Sequence, residues 1–157
     1  MRDKMAEMSP YGARNGIEIY RLEPAAWIAE SERDHAKAAE SMRAAADLGD
    51  ELDWAAWVAP PPREMLGDLL LEQKQPQAAL EAYRRVLEGE PRLFNPLYGA
   101  ARAAEAAGDR QLASAYYRKL TEIAVKGDRP EVEIARKKIE TYIGKRGSFG
   151  QVFWGAN

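Results

Sequence analysis

The sequence holds one histidine, His35, and no cysteine. A lone imidazole without thiolates cannot supply an ordinary structural zinc set, so no metal site is expected. Serine-based acyl transfer would need a serine on a strained strand-to-helix turn with a base beside it. No such pattern surrounds any serine, and nothing pairs one with His35. The 25 Asp and Glu residues, set against 23 Lys and Arg, are what any solvated helical surface carries, and no pair of them stands out for acid–base work. These residue types predict no catalytic residue and no cofactor. Trp54 and Trp57, in the segment DWAAWVA over 53–59, would stand side by side on one helical turn. They read as cover for a seam between helical units, with a wall of a small-molecule site as the functional alternative.

The stretch IGKRGSFGQV, 143–152, resembles the glycine-rich loop of protein kinases. Arg146 spoils the first glycine spacing, and only five residues follow Val152. A lysine-bearing strand, a catalytic loop and a magnesium-binding aspartate would all have to lie downstream, so the resemblance is coincidental. The same tail carries Lys145 and Arg146 with Phe149, Phe153 and Trp154. Its basic and aromatic character suits docking on the chain's own surface, on a neighbouring copy, or over the apolar end beside Tyr142.

The elements that would position any site are helical. In Pro60–Arg92, Leu66 and Leu70 lie one turn apart with Gly67 beside them, and Ala79, Tyr83 and Val86 recur at i, i+4 and i+7. Two amphipathic helices follow from this, meshing large residues into small. Pro76 starts the second and Pro91 closes it. A second copy spans Phe94–Val125: Ala101, Ala113 and Tyr117 lie 34 residues after Gly67, Ala79 and Tyr83, and Gly108 takes the turn. A weaker copy lies upstream, where Ala38, Met42 and Ala45 repeat the second-helix spacing and Ala26 stands at the Gly67 position, 41 residues before it. Pro24 falls inside the first helix of that copy and predicts a kink or a late start near Glu23. Asp34 is the expected N-cap for a helix from His35 to Leu48. The triple proline Pro60–Pro62 reads as a stiff spacer leading into a helix. Past the copies, Asp128-Arg129-Pro130-Glu131 starts a helix whose Val132, Ala135, Ile139 and Tyr142 share one face, with Lys137, Lys138 and Glu140 elsewhere and Gly144 as the stop.

The order Leu66, Gly67, Leu70, Ala79, Tyr83, Leu87, Pro91 resembles the tetratricopeptide repeat, with a period of about 34 residues. Arg63 replaces the large residue usual early in the first helix, and Val86 the usual alanine. The chain is also similar, over roughly Ile17–Ile143, to the C-terminal repeat block of longer bacterial proteins of that kind. The resemblance implies an all-α, right-handed helical-hairpin solenoid of about three repeats, near 19–52, 60–93 and 94–127, plus a closing helix at 129–143. Residues 1–16 would be a lead-in, 17–143 the domain and 144–157 a glycine-rich aromatic tail.

In such solenoids first-helix positions 2, 5, 9 and 12 line the concave groove. Carried over, repeat one gives Tyr20, Glu23, Trp27 and Glu30; repeat two gives Pro61, Glu64, Asp68 and Leu71; repeat three gives Asn95, Tyr98, Arg102 and Glu105. Five acids face one base, with three aromatics among them. A peptide carrying basic and apolar residues is the implied ligand. The lysine and asparagine clamp that some members close on chaperone C-termini is absent, with Glu23 and Trp27 where its first residues would stand.

Composition agrees with this class. The net charge is −2, which gives no electrostatic reason to seek nucleic acid. No apolar run approaches the ~20 residues that span a bilayer, and Met1–Arg14 lacks the apolar stretch of a secretory signal. The expectation is a cytoplasmic, non-enzymatic interaction scaffold, whether a complete chain or a fragment. A structural assembly piece or homo-oligomer, stacking through its ends or its tail, is the alternative, and a small-molecule-sensing domain a more distant one.

Overall fold

The computed structural model describes residues 10–52, 60–125 and 127–148. Among them the chain folds into seven helices: α1 Pro10–Ser31, α2 His35–Glu51, α3 Pro62–Glu72, α4 Pro76–Gly89, α5 Phe94–Ala106, α6 Arg110–Ile123 and α7 Pro130–Ser148. Each helix packs on the next in the chain, and α3 also touches α5. The product is a stack of three hairpins, α1/α2, α3/α4 and α5/α6, ended by α7. The tryptophan insert at 53–59 and the aromatic tail residues 149–157 lie outside the described residues.

Local chemistry sets the boundaries. Asp34 caps α2 by accepting from the Lys37 amide at 3.1 Å, and Asp109 caps α6 through the Leu112 amide at 2.9 Å. Pro62 and Pro76 open α3 and α4, where a missing donor is harmless. The three hairpin turns close in one manner. Arg33, Lys74 and Gly108 occupy corresponding places and all have positive φ, at 64°, 58° and 85°. In each, the next amide reaches back to a first-helix carbonyl: Asp34 to Ala29 at 2.9 Å, Gln75 to Leu70 at 2.8 Å, Asp109 to Ala104 at 2.9 Å. This is the paired-bond termination that glycine favours, because a Cβ is disfavoured there. Arg33 and Lys74 adopt it without that freedom.

The core is built from alanine and a few large residues. Tyr83 on α4 is fully buried, and its ring lies against two glycines. A Cβ on Gly67 of α3 would come within 2.7 Å of it, and one on Gly99 of α5 within 2.4 Å. A single side chain therefore pins three helices, and neither glycine can be replaced without moving the ring. Leu66, Leu69, Leu70, Ala79, Ala82 and Ala103 surround it in one cluster. Tyr117 repeats the arrangement on α6, fully buried among Leu97, Ala101, Leu120 and Ala135.

Three boundaries differ from expectation. α1 begins at Pro10, within the stretch assigned to a lead-in, and passes through Pro24. Pro24 is exposed, so the bond it cannot donate falls on the solvent side, where water substitutes for it. α2 continues past Leu48 to Glu51, and α7 runs through Gly144 to Ser148. Glycine weakens a helix by only about 1 kcal/mol and does not by itself end one.

Candidate interaction groove

Side chains at the groove positions of repeats two and three join into one polar network. On α3, Glu64 is almost wholly buried, only 5% exposed. Burial raises its carboxyl above the ordinary value; a hydrogen bond from Asn95 opposes this and the Asp68 charge adds to it. Asp68 is exposed and accepts the Tyr83 hydroxyl at 2.6 Å. Burial and this bond push the Tyr83 hydroxyl far above its usual range. Leu71 is half-buried against the core.

On α5, the Asn95 side-chain oxygen Oδ1 accepts from Arg129 at 3.3 Å, and the same guanidinium lies 4.6 Å from the centre of the Phe94 ring. Arg102 lies 5.9 Å over Tyr98, whose ring meets that of Tyr117 at 6.2 Å and 59°. Glu105 accepts the Tyr117 hydroxyl at 3.2 Å and the ammonium of Lys138 from α7. Burial alone would raise the Glu105 carboxyl, but hydrogen bonding and the Lys138 charge outweigh it and hold it low. Tyr142 of α7 faces the same carboxylate, with its hydroxyl buried and outside direct hydrogen-bonding geometry. Burial, then Glu105, pushes it up to about 12.

Repeat one contributes differently. Glu30 accepts from Gln73 at 2.7 Å and bonds the His35 ring at 2.9 Å. Gln73 also donates to the His35 carbonyl at 3.0 Å, tying the first hairpin turn to the end of α3. Hydrogen bonding, Gln73 first, lowers the Glu30 carboxyl despite some burial. Trp27 packs half-buried on the core, and Tyr20 is 56% exposed. Glu23 is half-buried, and burial raises its carboxyl. These three stand apart from the network of repeats two and three.

Sequence reasoning did not find the α7 contribution. Lys138, assigned to an outward face, reaches Glu105, and Arg129 reaches Asn95. The signal was present: Val132, Ala135 and Ile139 repeat the spacing of Pro96, Gly99 and Ala103, 36 residues on. That register makes α7 a further first helix, so its Ile134 and Lys138 fall beside the groove. Among the described residues, no group of three His, Asp or Glu side chains converges as a metal site. The tyrosine hydroxyls are held protonated, and the Glu105 and Glu30 carboxylates are favoured in their ionised form.

A chain of stacked hairpins with a side-chain-lined surface is an α-helical repeat scaffold. A family model, the tetratricopeptide repeat, matches residues 63–91, from the first turn of α3 to the proline after α4. The chain is a tetratricopeptide-repeat-containing protein with the helical-hairpin solenoid of that class. No curated protein matches it. Tetratricopeptide domains generally act as non-enzymatic scaffolds that bind proteins or peptides, and no described helix is long and apolar enough to cross a membrane.

Proposed function

We propose that the chain is an adaptor whose groove, along α1, α3, α5 and α7, holds a peptide or partner helix bearing basic and apolar residues. One observation carries this reading: the groove acids differ in what already satisfies them. Glu105 has Lys138, and Glu30 has Gln73 and the His35 ring. Glu23, Glu64 and Asp68 have no Lys or Arg partner among the described residues, and Glu64 is nine-tenths buried. A buried carboxylate without a cation is unfavourable, and a ligand cation would relieve it. Basic residues of the partner therefore belong over repeats one and two, with Trp27, Leu71 and Tyr98 offering the apolar contacts. The cytoplasm is the compartment that fits a chain without cysteine.

A displayed random peptide library tests the proposal. Selected peptides should be enriched in Lys or Arg beside apolar residues. Their affinity should fall with salt, since exposed charges are screened over about 8–10 Å at physiological ionic strength. The double substitution Glu64→Gln, Asp68→Asn, which removes both charges and keeps the side-chain shapes and the acceptor for Tyr83, should weaken binding while leaving circular dichroism unchanged. Acidic consensus peptides, or unchanged affinity in a folded double variant, would place the site elsewhere.

A further inference from the structure

The first helices of repeats two and three carry opposite charges at one place in the repeat. Asp68 on α3 and Arg102 on α5 lie 34 residues apart, one full repeat, and both are exposed. α3 touches α5, so the two side chains stand on adjacent helices of one surface. No ion pair joins them. The Asp68 carboxylate accepts the Tyr83 hydroxyl at 2.6 Å, and the Arg102 guanidinium lies 5.9 Å from the centre of the Tyr98 ring. The Arg102 charge acts on that same Tyr83 hydroxyl, which puts the three side chains in one neighbourhood.

Lys138, at the corresponding place on α7, is already committed to Glu105. Arg102 has an aromatic ring beside it and no carboxylate partner among the described residues. Arg129 is placed likewise, 4.6 Å from the centre of the Phe94 ring and bonded to Asn95 Oδ1 rather than to an acid. Charge therefore changes sign in order across the surface. Glu64 and Asp68 on α3 lack a cation, and the guanidiniums on and beside α5 lack an anion.

The depth of Glu64 sets how a ligand approaches. It lies one turn before Asp68 and is only 5% exposed. A helix about 10–12 Å across would stand off such a carboxylate, whereas an extended backbone can lower a long basic side chain onto it. Packed helices lie about 8–10 Å apart. An extended chain of the polyproline type rises about 3.1 Å per residue and presents the same side every third residue. Three residues, about 9 Å, therefore carry it from α3 to α5. We propose that the partner segment is extended and bears an acidic residue three positions from its Lys or Arg. The base sits at Glu64 and Asp68, and the acid on the Arg102 guanidinium. This deepens the groove proposal above and rests on it. A ligand of bases alone would press positive charge onto Arg102, so the alternation excludes such ligands as well as favouring its own. The guanidinium offers parallel N–H donors that suit a carboxylate.

Peptides selected from a displayed random library by the full chain are aligned on their enriched Lys or Arg. Asp or Glu should be enriched three residues away. Replacing that acid by Lys in a selected peptide should weaken binding roughly tenfold or more. The chain carrying Arg102→Glu should reverse the preference and bind the Lys form better. Arg102→Gln should bind the two forms nearly alike. Circular dichroism and Tm report that the variants are folded. A base enriched with no acid three residues away overturns this inference and leaves the groove proposal standing. An acid seven residues away, the spacing of one helix face, overturns it in favour of a helical ligand. An unchanged preference in folded Arg102→Glu overturns it by placing the acid elsewhere. Selection without any enriched base ends both proposals.

Discussion

Gly99→Ala tests whether one aromatic ring holds the middle of the stack. The new methyl would sit 2.4 Å from Cε1 and Cζ of Tyr83, whereas carbon contacts settle near 3.5–4.0 Å. The ring must retreat by roughly 1 Å, away from a fully buried position in which its hydroxyl is bonded to Asp68 at 2.6 Å. Overpacking of this kind costs about 1–3 kcal/mol, and stretching the hydrogen bond adds about 1 kcal/mol. Replacing glycine returns about 0.5–1 kcal/mol through the unfolded chain. A net loss of about 2 kcal/mol lowers Tm by roughly 4–8 °C for a chain of this size. The decisive assay is a double-mutant cycle by urea unfolding. In a Tyr83→Leu background the cavity itself is costly, yet Gly99→Ala should become neutral or stabilising there, a coupling of about 1–2 kcal/mol. Additive losses, agreeing within about 0.5 kcal/mol, would show that the glycine does not exist to admit the ring. Gly67→Ala, at 2.7 Å, should behave alike, and Gly67→Leu should be worse.

Lys74→Gly should raise stability in thermal melts by about 0.5–1 kcal/mol, since it relieves a left-handed turn, while Gly108→Ala should lose about 1 kcal/mol. Glu64→Gln should raise Tm at neutral pH. Its folded carboxyl is raised, so the wild type loses stability as pH climbs from the ordinary carboxylate value through the folded one, and the variant should not. Glu105 has the opposite sign: held low by Lys138, it stabilises above the ordinary carboxylate value and the effect is lost as pH falls through the folded one. Lys138→Met should flatten that acid limb in a Tm series from about pH 3 to 7, and an unchanged limb would dissociate Glu105 from it.

The hairpin register was legible because Leu66, Gly67, Ala79 and Tyr83 report packing through side-chain size, a property each residue carries by itself. The reach of α1 was not. Proline's effect on a helix depends on whether its face is wet, and Pro24 lies on the wet side. The residues that the resemblance assigns to a groove lie along α1, α3 and α5, but their electrostatics did not follow from composition. Five acids and one base gave an acidic surface; in the fold Lys138 and Arg129 enter from α7, and Glu64 sinks out of water. Those pairings bridge residues 33 and 34 apart, and a register shift of two residues at the last linker hid them.

Because each helix packs mainly on its chain neighbours, the length of the array is not dictated by any contact between its ends. The middle hairpin is gripped from both sides, by Arg63 toward α2 and by Tyr83 toward α5. Amide protection should therefore peak in α4 and decay toward both termini, as in a one-dimensional chain of coupled units. The junction is also copyable. Duplicating a 34-residue unit in tandem, cut where one hairpin hands over to the next, recreates the seams on either side. The groove then grows by one step in length, so reach along a ligand becomes a quantity that gene duplication can tune without redesigning the fold.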